Sequence, residues 1–313
     1  MYCADAAPCI RSIARRDAAG AVPSYNPPMS VTTHPQLNAD LHSHSTASDG
    51  TLAPATLARR AADHGVELWA LTDHDDIGGL SEARDAARAL GLRFVAGVEI
   101  SVSFAAQTVH IVGLGVDPGS TVLQQGLRQI REGRDERARR MAGELEARLG
   151  LDGVYAGALR FAGNPALLSR THFARYLVEQ RICRQTHEVF ARFLTPGKPG
   201  YVEHEWASLA DALQWITAAG GVAVVAHPGR YRFTPAEEWA LLERFKSLGG
   251  QAIEVVTGSH TAAQYRRYAD TALEFGFHAS RGSDFHSPDE SACDLGRLPP
   301  LPADVVPVWE LLH

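Results

Sequence analysis

The chain has 313 residues, 45% of them hydrophobic, and a formal net charge of −6 at pH 7. This length suffices for one large buried core, and the mild acidity excludes a general attraction to polyanions. The four cysteines are scattered and form no CxxC pair, which predicts a reducing, cytoplasmic setting without a disulfide framework. No apolar run approaches the roughly 18 residues of a membrane span, so no membrane association is expected.

Residues 1–36 precede the patterned part of the chain. They contain Ala, Pro, Ser and scattered Arg without a period, and they lack the continuous apolar region of a signal peptide. The composition predicts a disordered N-terminal extension. Met29, just before the patterned chain begins, is a plausible alternative start.

From Asn38 onward, short apolar runs alternate with helical patterns. Strands are predicted at 39–42, 67–74, 92–101, 109–116, 222–229, 251–258 and 277–286. Helices are predicted at 54–65, 81–91, 127–150, 170–181, 187–194, 208–221, 235–250 and 261–276. Repeated strand–helix units indicate a parallel sheet covered by helices, since parallel neighbours need crossover connections. The charged, helical texture of 120–205 differs from the rest and predicts an insert between two barrel segments, 37–119 and 206–313.

Potential metal ligands lie at the ends of nearly every predicted strand. They are His42, His44, Asp73, His74, Glu99, His227, Glu254, Asp284 and His286. His110 begins its strand, which fits if that strand returns antiparallel from Glu99. A barrel brings strand ends to one mouth, whereas an open sheet spreads them along a line, so this pattern favours a β/α barrel.

Structural roles remain open for individual members of this set. A lone histidine is more often a satisfied polar residue than a ligand, Asp73 could cap the next helix, and Glu254 could pair with a neighbouring base. The chain has 14 histidines, however, and six of them lie at strand ends. Imidazole and carboxylate without thiolate suit Zn²⁺, Mn²⁺ or Fe²⁺, and the number of ligands exceeds the need of one ion. Two or three ions are therefore expected, with Glu99 as a bridge.

Six stretches give the chain a specific resemblance. They are "DLHSHSTASDG", "LTDHDD", "GVEIS", "HIVGLG", "AHPGRY" and "GSDFH". In this order, from about 38 to 290, they resemble the successive motifs of the PHP (polymerase and histidinol phosphatase) family. The resemblance implies a distorted, TIM-like, seven-stranded β/α barrel with a mostly helical inserted lid. It also implies a di- or trinuclear metal centre, with manganese expected, that hydrolyses phosphoesters through a metal-bridging hydroxide.

Carried over by motif, the resemblance implies three ligand sets, two of which share Glu99. The first is His42, His44, Glu99 and Asp284; the second is Glu99, His110 and His227; the third is Asp49, His74 and His286. Many relatives have histidine where Asp49 stands, although a carboxylate can still ligate. Asp49 and His286 are also the candidates for proton transfer to the leaving oxygen.

Within the insert, "SRTHFARYL" and "GKPGYVEHEWASL" resemble the stand-alone bacterial members of the family. Those members include 3′,5′-nucleotide bisphosphate phosphatases and 5′–3′ exonucleases acting on short RNA. The implied substrate contacts are Arg170, His172, Lys198, His204 and Arg230, and the candidate stacking aromatics are Tyr201, Trp206, Tyr231 and Phe233. The expected partner is a nucleotide or short RNA, with no obligate protein partner. A phosphatase for histidinol phosphate and a non-catalytic metal-binding module remain the alternatives.

The arginines of 128–148 are predicted to form a solvated helix face, with contact to an RNA tail as the alternative. Lys198, in a Gly/Pro loop, would by itself also be a solvated surface residue. Three divalent ions held by three carboxylates would leave a positive centre, which favours a phosphate over a neutral amide.

Overall fold

The computed structural model describes residues 37–312, so the predicted extension 1–36 lies outside the described residues. Seven strands form one sheet in chain order. They are β1 (Ala39–Asp40), β2 (Leu68–Leu71), β3 (Arg93–Phe104), β4 (Gln107–Leu114), β5 (Val222–Val225), β6 (Ala252–Thr257) and β7 (His278–Gly282). Five of the seven are buried along most or all of their length, as expected for strands covered by helices.

Strand β4 alone runs against its neighbours. It pairs antiparallel with β3 and with β5, whereas every other pair along the sheet is parallel. The sheet closes between its first and last strands, where Leu41 N donates to Arg281 O at 2.9 Å and His44 N donates to Phe285 O at 2.8 Å. The predicted seven-stranded distorted β/α barrel is thereby confirmed.

The helices cover the outside of the barrel and fill the long β4–β5 connection. They are α1 (Pro54–Asp63), α2 (Leu80–Ala89), α3 (Thr121–Leu149), α4 (Val154–Leu159), α5 (Arg170–Glu179), α6 (Thr186–Val189), α7 (Leu209–Ala218), α8 (Pro235–Ser247) and α9 (Ala262–Phe275). Helix α1 begins at Pro54, as predicted, because its fixed φ suits the first helical position. Within residues 37–312, no helix is long and apolar enough to cross a membrane.

The β4–β5 connection has a hydrophobic core of its own. Met141 and Leu145 of α3 pack there with Phe173 and Leu177 of α5 and with Phe193. The barrel core is formed separately by the strands and their covering helices. These cores are consistent with an insert, and its exact bounds, 120–205, stay a prediction. We keep the name insert for 120–205.

The β3–β4 hairpin differs from the prediction. Strand β3 continues past Ser101 to Phe104, and only Ala105 and Ala106 form the turn, both at positive φ (46° and 58°). Two-residue hairpin turns normally carry Gly or Asn at such positions, so the Ala–Ala pair gave no turn signal. Glu99 consequently lies in the middle of a strand rather than at its end.

Helix α3 also begins earlier than predicted, at Thr121 rather than at 127, with Ser120 as its N-cap. Gly126 lies inside this helix and faces Trp215, where a Cβ atom would lie 2.2 Å from the indole ring. A glycine inside the helix therefore permits the close approach of α7.

Candidate metal centre

All nine residues predicted as metal ligands meet at the carboxyl ends of the parallel strands. Their nitrogen and carboxylate oxygen atoms form four overlapping groups, each compact enough to surround an ion. The groups are His44, Asp49, His74 and His286; His42, His44 and Asp284; His42, Glu99 and His227; and His74, Glu99 and His110. His44 thus lies between the first and third predicted ligand sets, and His74 approaches Glu99.

Glu99 lies at the centre of the cluster and is fully buried. Its Oε1 is 2.9 Å from His110 Nδ1 and 3.0 Å from His227 Nε2, and its Oε2 is 2.8 Å from His74 Nδ1. Strand register explains this reach, because His74 forms a bridge beside Glu99 and His110 lies on the adjacent antiparallel strand. The geometry suits a bridging carboxylate.

Several of these short approaches are not hydrogen bonds. Nδ1 of His74 and Nδ1 of His110 are buried and have no hydrogen-bond partner within 37–312, although each lies within 3 Å of Glu99. Asp49 Oδ1 and Glu99 Oε2 are likewise buried without a partner. Ligand atoms about 2.1 Å from a shared ion lie roughly 3.0–3.4 Å apart. The donor set therefore fits divalent ions, which would satisfy these atoms.

Two further strand-end carboxylates act behind the cluster. Glu254 accepts hydrogen bonds from His42 Nδ1 at 2.7 Å and from His227 N at 2.5 Å. Its pairing with the His42 imidazole agrees with the alternative that Glu254 pairs with a neighbouring base. Asp73 does not cap α2, whose N-cap is Gly79. It accepts from Ser45 N at 2.7 Å and from Ser48 Oγ at 2.5 Å, which fixes the loop that carries Asp49.

Three residues at or beside the cluster have a left-handed backbone. Asp75 has φ +48°, His227 has φ +28° and Asp284 has φ +56°. Such conformations cost on the order of 1–3 kcal/mol for a non-glycine residue and persist where the surrounding structure holds them. Strain concentrated at three strand ends is typical of a functional site.

Burial and mutual contacts set the charge of the cluster. Burial opposes ionisation of Glu99, but His110 and His74 outweigh it and hold the pKa of this carboxyl well below its usual range. Burial lowers the pKa of His44 and of His227 to about 3. Burial also opposes protonation of His74, but Glu99 and Asp49 raise its pKa to about 9. The carboxylates are thus ionised, and three of the six imidazoles, His44, His110 and His227, favour the neutral form that binds metal. The other three, His42, His74 and His286, have raised pKa values and would release protons on binding.

A narrow cavity of about 100 Å³ opens onto the cluster. Its walls include the ligand residues Asp49, His74, His110 and His286, and also the arginines Arg134, Arg137, Arg170 and Arg230. Arg134 and Arg137 are only 5% and 6% exposed, and both guanidinium groups lie over the Trp206 ring. The prediction of a solvated arginine face on α3 is wrong for these two residues.

The five predicted substrate contacts have different surroundings. Arg170 and Arg230 line the cavity, and Arg230 Nη1 lies 2.6 Å from Asp284 Oδ2. His172 is fully buried, and its Nδ1 accepts from Ser169 N at 2.9 Å, which caps α5. Lys198 is exposed in a turn. His204 lines a neighbouring cavity of about 520 Å³. Substrate contact by these residues stays a prediction.

Aromatic rings surround the cavity mouth. Tyr201 lines two adjoining cavities, and Trp206 and Tyr231 each line one beside the cluster. Phe233 instead packs edge-on against Phe104 at a centroid distance of 6.0 Å. Sequence reasoning missed Phe190, which lines the cavity from a single turn of π-helix, and a one-turn element has no sequence periodicity that would reveal it.

A seven-stranded β/α barrel whose strand ends bring six imidazoles and three carboxylates together defines a metal-dependent hydrolase. The chain belongs to the PHP domain family, which matches residues 40–258. It is a metal-dependent phosphoesterase, and the sequence-based predictions of family and enzyme class are confirmed.

Individual relatives cover nearly the whole described chain. The chain is 50% identical over 276 residues to a 3′,5′-nucleoside bisphosphate phosphatase of Chromobacterium violaceum, covering 88% of this chain and 96% of that relative. It is 40% identical over 274 residues to a 5′–3′ exoribonuclease of Haemophilus influenzae, covering 87% and 97%. A solved structure described as an amidohydrolase from C. violaceum, with bound sulfate and no metal, has a TM-score of 0.85 at 51% identity, covering 88% and 95%.

Proposed function

We propose that this phosphoesterase removes a terminal phosphate from a nucleoside 3′,5′-bisphosphate. The observation that carries the proposal is one narrow cavity lined by both metal-ligand residues and four arginines. The metal-ligand residues form one part of the cavity wall and would bind the phosphate that is hydrolysed. The guanidinium groups would bind the second phosphate, which does not react. The relative named as a 3′,5′-nucleoside bisphosphate phosphatase supports this substrate class.

The three predicted ligand sets would hold two or three divalent ions, with manganese as the proposed metal. Ions bound there would supply Lewis-acid stabilisation of phosphate oxygens and activation of a water. Glu99, between two of the sets, would fix their spacing, and Glu254 would keep Nε2 of His42 directed at the cluster.

Charge balance within the cavity favours a substrate with two phosphates. Arg134 pairs with Asp75 and Arg230 pairs with Asp284. Arg137 and Arg170 make no ion pair within 4 Å in the described part of the chain, and burial lowers the pKa of Arg137 to about 9. A buried, uncompensated guanidinium group is costly, so an anionic substrate group would relieve it.

Asp49 and His286 are proposed to hand a proton to the leaving oxygen. His286 Nε2 lies 3.3 Å from Asp49 Oδ1, and its Nδ1 lies 2.9 Å from the backbone oxygen of Asp284. Burial opposes protonation of His286, but Asp49 and Asp284 outweigh it and raise its pKa. When no ion is bound to Nε2, this atom carries a proton at the cavity wall, where a leaving group could take it.

Short 5′-phosphorylated RNA is the second candidate substrate. The cavity of about 520 Å³ beside the cluster shares Thr108 with the narrow cavity and has room for a further nucleoside. Glu203 and Glu205 also line it and would repel a long polyanion, which favours short chains. The relative named as a 5′–3′ exoribonuclease supports this activity.

Two other chemistries are disfavoured by the arginines. Histidinol phosphate has one phosphate and would leave Arg137 uncompensated. Amide hydrolysis, raised by the description of one solved relative, has no use for four guanidinium groups at the cavity wall. Cys183 and Cys293 are free thiols, which agrees with the proposed cytoplasmic setting, and no obligate protein partner is proposed.

The test is a comparison of substrates with the Mn²⁺-loaded enzyme. Adenosine 3′,5′-bisphosphate, histidinol phosphate and a short 5′-phosphorylated RNA would be supplied in parallel, with phosphate release and RNA length as readouts. Adenosine monophosphates provide the matched one-phosphate control. We expect the highest kcat/KM for the bisphosphate. The proposal fails if all substrates stay intact while the metals are bound.

A further inference from the structure

Three of the metal-ligand residues lie at the rim of the metal centre, and the insert contacts the barrel beside each of them. We call Asp49, His74 and His286 the outer ligands, since they belong with His44 to one compact group of ligand atoms. A residue of the insert contacts Asp49 directly, whereas His74 and His286 are each followed in the chain by residues that contact the insert. The three outer ligands lie on different barrel loops.

The contact at Asp49 is direct. Ser169, the N-cap of α5, donates from its Oγ to Asp49 Oδ2 at 3.2 Å. Nearby, a Cβ atom on Gly163 would lie 2.2 Å from Thr46 O, so the insert backbone touches the loop that carries Asp49. The other oxygen, Oδ1, stays free for an ion.

The contact at His74 runs through the two aspartates that follow it. Asp75 is buried, accepts from Ser101 N at 2.7 Å and pairs with Arg134 of α3. Arg131, one turn earlier on α3, donates to Asp75 O at 2.7 Å and lies 3.2 Å from Asp76 Oδ2. Helix α3 therefore holds the backbone from which the His74 side chain extends.

The contact at His286 runs through the turn after it. Ser291 Oγ accepts from His286 N at 2.8 Å and from Ser287 N at 3.1 Å, which folds the turn back on itself. In the same turn, Glu290 accepts from Arg175 Nη2 at 2.6 Å and from Arg175 Nε at 3.1 Å. Arg175 belongs to α5 and is 8% exposed, so the guanidinium side of this pair is shielded from solvent.

The inner ligands are held differently. Glu254 of β6 orients His42 and His227, and Tyr231 accepts from His110 N at 2.9 Å through its hydroxyl. These contacts all lie within the barrel. The inner part of the centre is thus fixed by strands and their loops, and the outer part depends on helices of the insert.

We infer that docking of the insert sets the affinity of the outer metal position, with Ser169, Arg131 and Arg175 as positioning residues. The inference rests on the proposed metal sites. Groups that orient ligands from behind typically change metal affinity about 10- to 100-fold when removed. Because binding coupling is reciprocal, an ion at the outer position stabilises the docked insert by the same factor. The insert also carries Arg137 and Arg170, so an outer ion would keep these two arginines at the cavity wall.

The test titrates Mn²⁺ alone into the metal-stripped full chain and counts the ions and their dissociation constants. Wild type should bind three ions. Arg175→Gln and Ser169→Ala should each weaken the third ion about 10-fold or more and leave the two tightest unchanged. Hydrogen exchange across 120–205 gives a second readout, in which excess Mn²⁺ protects the insert of wild type more than that of Arg175→Gln.

Arg160→Gln is the matched control. Arg160 and Glu179 form an exposed ion pair within the insert, so this change should leave all three ions unaffected. If Arg175→Gln does not fold, Glu290→Gln removes the more exposed partner of the same pair. A third dissociation constant that is unchanged in these variants, or a wild type that binds only two ions, overturns the inference. Weakened outer binding together with an intact bisphosphate overturns only the proposed substrate.

Discussion

Glu254 and His42 share a fully buried hydrogen bond of 2.7 Å between Oε1 and Nδ1. In the neutral form that binds metal, the carboxylate thereby fixes the imidazole tautomer, because Nδ1 carries the proton and Nε2 is left with its lone pair toward the cluster. The same carboxylate accepts from His227 N, whose residue has a strained backbone. One side chain outside the ligand set therefore orients two ligands.

Replacing Glu254 with glutamine should weaken metal binding about 10- to 100-fold, because an amide no longer holds the His42 tautomer by charge. Calorimetric titration of metal-stripped protein with Mn²⁺ measures the change. Glu274→Gln, on the exposed face of α9, is the matched control and should bind as wild type does. Unchanged affinity in Glu254→Gln would show that the hydrogen bond has no part in metal binding.

His110→Ala should lower the metal content and reduce turnover about 100-fold or more, because Nδ1 is one of the buried atoms facing Glu99. Elemental analysis of the purified protein and phosphate release give the two readouts. His278→Ala, at the start of β7 and away from the cluster, is the control. Full activity in His110→Ala would remove this residue from the centre.

Arg137→Gln should raise KM for a nucleoside 3′,5′-bisphosphate and leave kcat nearly unchanged, because this guanidinium would bind the phosphate that does not react. Loss of a charged hydrogen bond costs about 1.5–3 kcal/mol, which is roughly 10- to 150-fold in kcat/KM. Arg140→Gln changes an exposed arginine on the same helix and should have no effect. Equal losses for bisphosphate and monophosphate substrates would contradict this role.

His260 should make folding stability depend on pH. Burial lowers the pKa of His260 to about 4, from an ordinary value of 6.5. Between these values the unfolded chain binds the proton and the folded chain does not. The free energy of unfolding therefore does not depend on His260 titration above pH 6.5. It falls as the pH is lowered from 6.5 toward 4, by up to about 1.4 kcal/mol per pH unit.

The measurement for His260 is urea unfolding of metal-stripped wild type and His260→Gln between pH 4 and 8. Glutamine does not titrate, and its side-chain oxygen offers an acceptor for Gly229 N, which donates to His260 Nε2 at 2.9 Å in wild type. The stability difference between the two proteins should change with pH below 6.5. Parallel curves over this range would refute the prediction.

Periodicity predicted the alternating strands and helices, in the order that the structure has. The potential ligands at the strand ends then favoured a barrel over an open sheet, and the barrel is confirmed. The antiparallel return of the strand bearing His110 was also predicted, and the nine ligand positions do meet. A short connection at 105–108 between these two strands was predicted, and the turn lies within it. Its reduction to Ala105 and Ala106 could not be predicted, because the positive φ there follows from pairing of the two long strands rather than from residue type.

The two buried arginines of α3 show a different limit of prediction from sequence. Arg134 and Arg137 occur in a strongly charged stretch, and local composition predicts exposure for such a segment. Arg134 is buried beside Asp75, 59 positions away, and the guanidinium groups of both arginines lie over Trp206. The burial of His172 and its hydrogen bond to Ser169 N, which caps α5, were likewise not predicted. Tertiary contacts decide both cases, and one sequence does not contain them explicitly.

The seam between β1 and β7 is short, because β1 has only two residues. His42 and Ser283 touch there although they lie 241 positions apart in the chain. Loop-closure entropy opposes such a distant contact until the rest of the barrel is formed. A growing chain on the ribosome therefore cannot assemble the complete ligand set before its last strand has emerged. Metal binding would thus follow the completion of folding, and the ions would connect the first and last strands of the barrel.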